Sequence, residues 1–139
     1  MCILVFDWQP GTEQPLLLLA NRDEFHARPS APLAQWADLP LVHAGRDLEA
    51  GGSWLGVAPD RRFATLTNIR KMEPAGPRSR GDLVSNFLAG NLTPAEYMQQ
   101  LIPALDKYSG FNLLVGDAHE LWFLNSCAQQ PQRLAAGIY

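Results

Sequence analysis

Cysteine is scarce in this chain, with two in 139 residues, which excludes a disulfide-stapled scaffold of the secreted kind. Charge is modest too. Charged residues make up 18% and the net charge is −3, so there is no basic footprint for nucleic acid or for an anionic membrane surface. The apolar run at residues 15–20 (PLLLLA) is far too short to span a bilayer, so no membrane insertion is expected. The N-terminal apolar stretch lacks a basic flank and breaks at Asp7, unlike a signal peptide, and the expected location is cytoplasmic. His26, His43 and His119 lie far apart, none in a metal-ligand spacing, and there is no glycine-rich phosphate loop. No metal or cofactor is expected.

What is present suits one domain over residues 1–139, with 47% hydrophobic residues to build a core. Residues 2–8 and 16–20 read as two strands of an antiparallel hairpin, apolar almost throughout and so expected to be covered on both faces. Residues 21–36 hold two prolines and mixed polarity and read as irregular. Short strands are expected at residues 41–44 and 53–58, a turn at 59–62 and a strand at 63–70. Ser79 is the expected cap of a helix whose stripe is Leu83, Val84, Phe87 and Leu88. Thr93 and Pro94 open a second helix with Tyr97, Met98, Leu101 and Ile102 inward, ended or kinked by Pro103. Strands follow at 111–117, 120–125 and, briefly, 132–136. The order predicts an α+β protein with antiparallel sheets and helices packed on one face.

Arg61, Arg62, Arg70, Lys71, Arg78 and Arg80 crowd one region, as a solvated loop or as a local site for an acidic substrate group. Cys2 raises a sharper question. An initiator methionine is usually trimmed before a small residue, and the exposed cysteine would then carry a thiol and a free α-amine on one carbon. Such a residue supplies both a nucleophile and its base. The plainer reading is a small apolar residue in a strand.

A series of short blocks bears on that question: MC at the start, NRDE from Asn21 to Glu24, ARP, AGRD, GGSWLGV, ATLTNIR, SRGDLV and GFNLLVGD. In this order they resemble the NRDE family, the transport-and-Golgi-organisation-2-like proteins, over residue 1 to at least residue 117. Ser53 stands where that family more often has threonine. Family members continue well beyond residue 139, so the resemblance is to their N-terminal part. It implies an N-terminal-nucleophile hydrolase-like αββα sandwich, here incomplete, and a small-molecule amide or acyl substrate.

On that reading Cys2 is the nucleophile, and its α-amine, with an ordinary pKa of roughly 7.7–8.0, is the base. Arg22 lies beside the nucleophile, with Asp23 or Glu24 holding the ammonium or orienting the arginine. Choline-amide and bile-salt hydrolases of the same fold also place an arginine and an acid just after their second strand. Asn68 is the candidate oxyanion donor, with Asn21 as runner-up, and Asn21, Trp54 and Arg70 are candidate substrate contacts. The plainer alternatives are a charge-paired turn for residues 21–24, a strand-end cap for Asn68, and core or pocket wall for Trp54. Cys127 reads as an incidental thiol. The rival function is a non-catalytic carrier of the same fold for a hydrophobic ligand such as haem or a lipid. An uncovered sheet edge would also permit homo-oligomers.

Overall fold

The computed structural model describes residues 2–69 and 76–139. The first sheet is built on the hairpin of β1 (Ile3–Trp8) and β2 (Leu16–Asn21), in which Ile3 faces Asn21 and Trp8 faces Leu16. Gly11 turns the chain between them at φ +86°, a left-handed conformation that costs glycine no steric clash. The second sheet runs in the order β3 (Ser30–Gln35), β4 (His43–Asp47), β5 (Leu55–Val57), β6 (Phe63–Asn68), β7 (Phe111–Gly116), β8 (Leu121–Asn125) and β9 (Gln132–Arg133). Every pairing in it is antiparallel. The chain then returns to the first sheet, where β10 (Gly137–Ile138) pairs with the end of β1.

Two helices cover one face of the larger sheet: α1 (Gly81–Ala89) and α2 (Pro94–Leu101), the latter running into a 3-10 segment at Ile102–Lys107. α2 starts as expected from Thr93 and Pro94. The Thr93 hydroxyl accepts from the Glu96 N–H at 3.2 Å and the Glu96 carboxylate accepts from the Thr93 N–H at 2.9 Å, a reciprocal cap. Pro103 lies in the 3-10 segment where the α-helical bonding stops. The Tyr97 hydroxyl donates to the Leu83 carbonyl at 2.7 Å and ties the helices together. Arg62 is buried and fastens the sheet to the C-terminal end of α1: it pairs with Asp60 at 2.7 Å and donates to the carbonyls of Phe87, Leu88 and Gly90. A cation at a helix C-terminus satisfies carbonyls that have no helical partner.

The strands of the larger sheet sort their side chains into two cores by simple alternation. Ala64 and Leu66 of β6, with Phe111, Leu113 and Val115 of β7, meet Leu83, Phe87, Leu88 and Met98 of the helices. The intervening positions face the hairpin sheet. Phe63, Leu114 and Leu121 pack there against Phe6 and Trp8, with Leu16 and Leu18 beside them. This second face changes character along its length. The rows run Phe63, Gly116, Leu121, then Thr65, Leu114, Phe123, then Thr67, Asn112, Asn125, so the space between the sheets is apolar at the Trp8 end and polar at the Cys2 end.

Several expectations are corrected. β1 and β2 are covered on one face only, for Ile3, Val5, Leu17 and Leu19 are between 46% and 68% exposed on the other. Residues 21–36 are not wholly irregular: they contain β3, an edge strand that tolerates Pro32 through a register shift between Ala31 and Ala34. The strand expected at 41–44 runs from His43 to Asp47, and that at 53–58 shortens to Leu55–Val57. Ser79 is not the cap of α1; that position is Arg80, and the Ser79 hydroxyl accepts from the Gly81 N–H instead. β10 was not expected, because two residues carry too little pattern to read as a strand.

Thr65 is fully buried between the sheets, and its hydroxyl has no hydrogen-bond partner among the described residues. An unpaired buried hydroxyl costs about 1–3 kcal/mol. Thr65→Val, which keeps the shape and removes the polar atom, should raise the stability by about 1 kcal/mol, read as a higher urea midpoint at unchanged slope. A lower midpoint would show that the hydroxyl has found a partner.

Candidate functional site

The inner face of β1 presents Leu4, Phe6 and Trp8, and Cys2 continues that alternation at the open end. Its thiol is half-buried. The cleft it enters is lined also by Asp23, Thr67, Asn68, Asn112 and Arg80. Cys127, expected to be incidental, lines the same cleft from the loop after β8.

The back wall is a ladder of side-chain hydrogen bonds across three strands. Asn125 accepts on its Oδ1 from the backbone N–H groups of Cys127 and Ala128, at 2.8 and 3.1 Å. Its amide nitrogen therefore faces the other way and donates to Asn112 Oδ1 at 2.9 Å. Asn112 in turn donates to the Thr67 hydroxyl at 3.2 Å. Tight registers make this possible, since Thr67 lies opposite Asn112 and Asn112 opposite Asn125.

Arg80 sits where this cleft meets a second one. It is half-buried and donates to the Gly110 carbonyl at 3.0 Å. Burial disfavours its charge and lowers its pKa below the usual arginine value, an effect opposed by the carboxylate of Glu24 and an ionised Cys2. Among the described residues no carboxylate lies within 4.0 Å of it. The other cleft arginines contrast with it.

Those arginines belong to a charge network on the rim. Arg22 pairs with Glu24 at 2.8 Å and lies 4.0 Å from Asp47. Arg28 pairs with Asp47 at 2.8 Å and reaches Glu49 at 3.4 Å. Glu24 is held below its ordinary pKa by the Phe25 N–H first, and by Arg22 and Arg28, against the effect of burial. For Asp47 burial pushes upward, but Arg28 and the N–H groups of Ala50 and Glu49 outweigh it and the pKa is lowered. The network pins residues 22–29 onto the end of β4.

The candidates from sequence are thus distributed unevenly. Cys2, Asp23, Glu24 and Asn68 line the Cys2 cleft. Arg22 follows Asn21, the β2 partner of Ile3, but its guanidinium turns to Glu24 and it lines the neighbouring cleft with Trp54. Asn21 falls in phase with Leu17 and Leu19 on the outer face of β2. Arg70 lies outside the described residues. Thr67, Asn112 and Asn125 were not singled out as site residues, and Arg80 was named only as part of the arginine-rich region. A signal for the first three does exist: each breaks an alternating apolar pattern at a strand end on the same side, visible only once the registers are known.

The described residues thus form an α+β sandwich domain of two antiparallel sheets with a polar cleft at one end of the space between them. The chain belongs to the Transport and Golgi organisation 2 family, whose model matches residues 1–139. Transport and Golgi organization 2 homologs are similar to it. The mouse protein is 34% identical over 125 residues, covering 84% of this chain and 45% of its own length. The bovine protein is 32% identical over 153 aligned residues, covering 100% of this chain and 55% of its own. The chain spans about half the length of these relatives. Among the described residues no helix is long and apolar enough to cross a membrane.

Glu24 and Asp47 have lowered folded-state pKa values, so their contribution to stability is present above the ordinary carboxylate range and is lost as pH falls through the lowered values. Asp47→Asn should lower stability at neutral pH and flatten the decline between about pH 5 and pH 2. Chemical denaturation across that range is the check; an acid limb as steep as the wild type's would remove Asp47 from the account.

Proposed function

We propose that Cys2 is the nucleophile of a hydrolase acting on a small amide or acyl substrate, with its own α-amine, freed by loss of Met1, as the proton acceptor. The observation that carries this reading is the position of Cys2: in phase with the inward face of β1, at the open, polar end of the space between two sheets. The amine takes the thiol proton, and the thiolate attacks the carbonyl carbon. The resulting oxyanion is met by hydrogen-bond donors of the cleft wall, which Thr67 and Asn68 both line. Collapse of the adduct breaks the carbonyl–nitrogen bond, and the ammonium returns the proton to the leaving amine. Water then cleaves the thioester and releases the acid.

Around these steps Asp23 holds the ammonium, and Glu24 keeps Arg22 in place through the 2.8 Å pair. Arg80 lines the same cleft as Cys2 and supplies positive charge there. The polar walls, Asp23, Thr67, Asn112 and Arg80, suit an amide or acyl substrate better than an apolar cargo such as haem or a lipid.

Intact mass and turnover test the proposal together. The purified protein should lack Met1 and hydrolyse at least one member of a panel of N-acyl amino acids and short acyl amides. Cys2→Ala should reduce that turnover by about 10³-fold or more while leaving the melting temperature unchanged. Retention of Met1 together with full turnover by Cys2→Ala would overturn it.

A further inference from the structure

The hydrogen-bond ladder behind Cys2 has a direction, and its direction leaves one proton over. Asn125 is oriented by two backbone N–H groups, so its amide can only donate toward Asn112. Asn112, accepting on Oδ1, can only donate toward Thr67. Thr67 therefore receives a hydrogen bond on Oγ1, and its own O–H must point elsewhere. It does not point inward along the same face, because the Thr65 hydroxyl two residues away has no partner. It donates to no other group among the described residues, and Thr67 lines the cleft that Cys2 enters.

Resting on the proposed function, we infer that the Thr67 hydroxyl is an oxyanion donor, aimed into the cleft by a relay that starts at the turn of residues 125–128. Asn68, next in sequence, has the opposite phase on β6 and belongs to the same face as Ala64 and Leu66. Thr67 is thus the residue of this pair that faces the space between the sheets. Acceptance of a bond from Asn112 also polarises the hydroxyl and makes it a better donor. The hydroxyl transfers no proton: it donates a hydrogen bond while the thiolate–carbon bond forms and the carbonyl electrons move onto oxygen.

Two reagents separate this role from an effect on the thiol. p-Nitrophenyl acetate acylates a thiolate through a tetrahedral oxyanion and releases p-nitrophenolate. Iodoacetamide alkylates it by direct displacement of iodide, with no oxyanion. Both rates are read at Cys2 by peptide mass, with Cys127 in the same chain as internal reference. In Thr67→Val, acylation of Cys2 should fall on the order of 100-fold with alkylation unchanged, and Thr67→Ser should restore acylation to within a few-fold. A second variant tests the relay. In Asn112→Asp the carboxylate accepts from Thr67 and turns its O–H away from the cleft. The ratio of acylation to alkylation should therefore fall even though the threonine is intact.

Equal falls in both reactions in Thr67→Val would overturn the inference, since Thr67 would then act on the thiol. Unchanged acylation in Thr67→Val, with wild-type Cys2 acylating faster than Cys127, would overturn it while leaving the hydrolase reading standing. Wild-type Cys2 acylating no faster than Cys127 would overturn both.

Discussion

Three central strands must be buried on both faces, and the two faces meet different partners. β6, β7 and β8 present Ala64, Leu66, Leu113 and Val115 to the helices and Phe63, Leu114 and Leu121 to the hairpin sheet. Everything else is arranged around that double burial. The helices are held to one face by Arg62 and by the Tyr97–Leu83 bond, and the hairpin is held to the other by Phe6 and Trp8. A strand with two buried faces tolerates polar groups only where they can bond to one another or reach solvent. That rule locates the cleft.

The cleft is where the apolar rows stop. From Trp8 toward Cys2 on one wall, and from Phe63 toward Thr67 on the other, side chains become smaller and more polar. The sheets remain paired there, so the polar groups are carried on rigid strands. Asn112 and Asn125 satisfy each other across the ladder. Thr65 lies one row too deep to share in it and is left unpaired. A packed sheet thus gives way to a pocket within two rows of residues.

The rim has a different physical basis. Residues 22–29 form no strand or helix, and ion pairs reinforce the few backbone bonds made there. Arg22, Glu24, Arg28, Asp47 and Glu49 join this segment to the end of β4. Each pair is partly exposed, so its strength is tempered by water and salt. Within this neutralised rim Arg80 stands apart, half-buried and engaged by a carbonyl. The outer face of the hairpin sheet is the other departure from a closed structure, with Ile3, Val5, Leu17 and Leu19 exposed side by side.

Much of this was legible in the residues. The hairpin, the reciprocal cap at Thr93 and the α+β order followed from local pattern, because alternation, turn chemistry and capping act over a few residues. The family followed from short blocks kept in order, and Cys2 stood out by its place beside the start. The edge strand β3 was hidden by prolines, and β10 by its brevity. What only tertiary structure decided was register. Register put Thr67, Asn112 and Asn125 in one row, though 45 and 13 residues separate the bonded pairs. It left one face of an apolar hairpin uncovered, while Arg22 turned away to Glu24 and Arg80 shared the cleft of Cys2. A one-residue slip would move each strand side chain to the opposite face, and that choice is made by packing between distant segments, which no local pattern records.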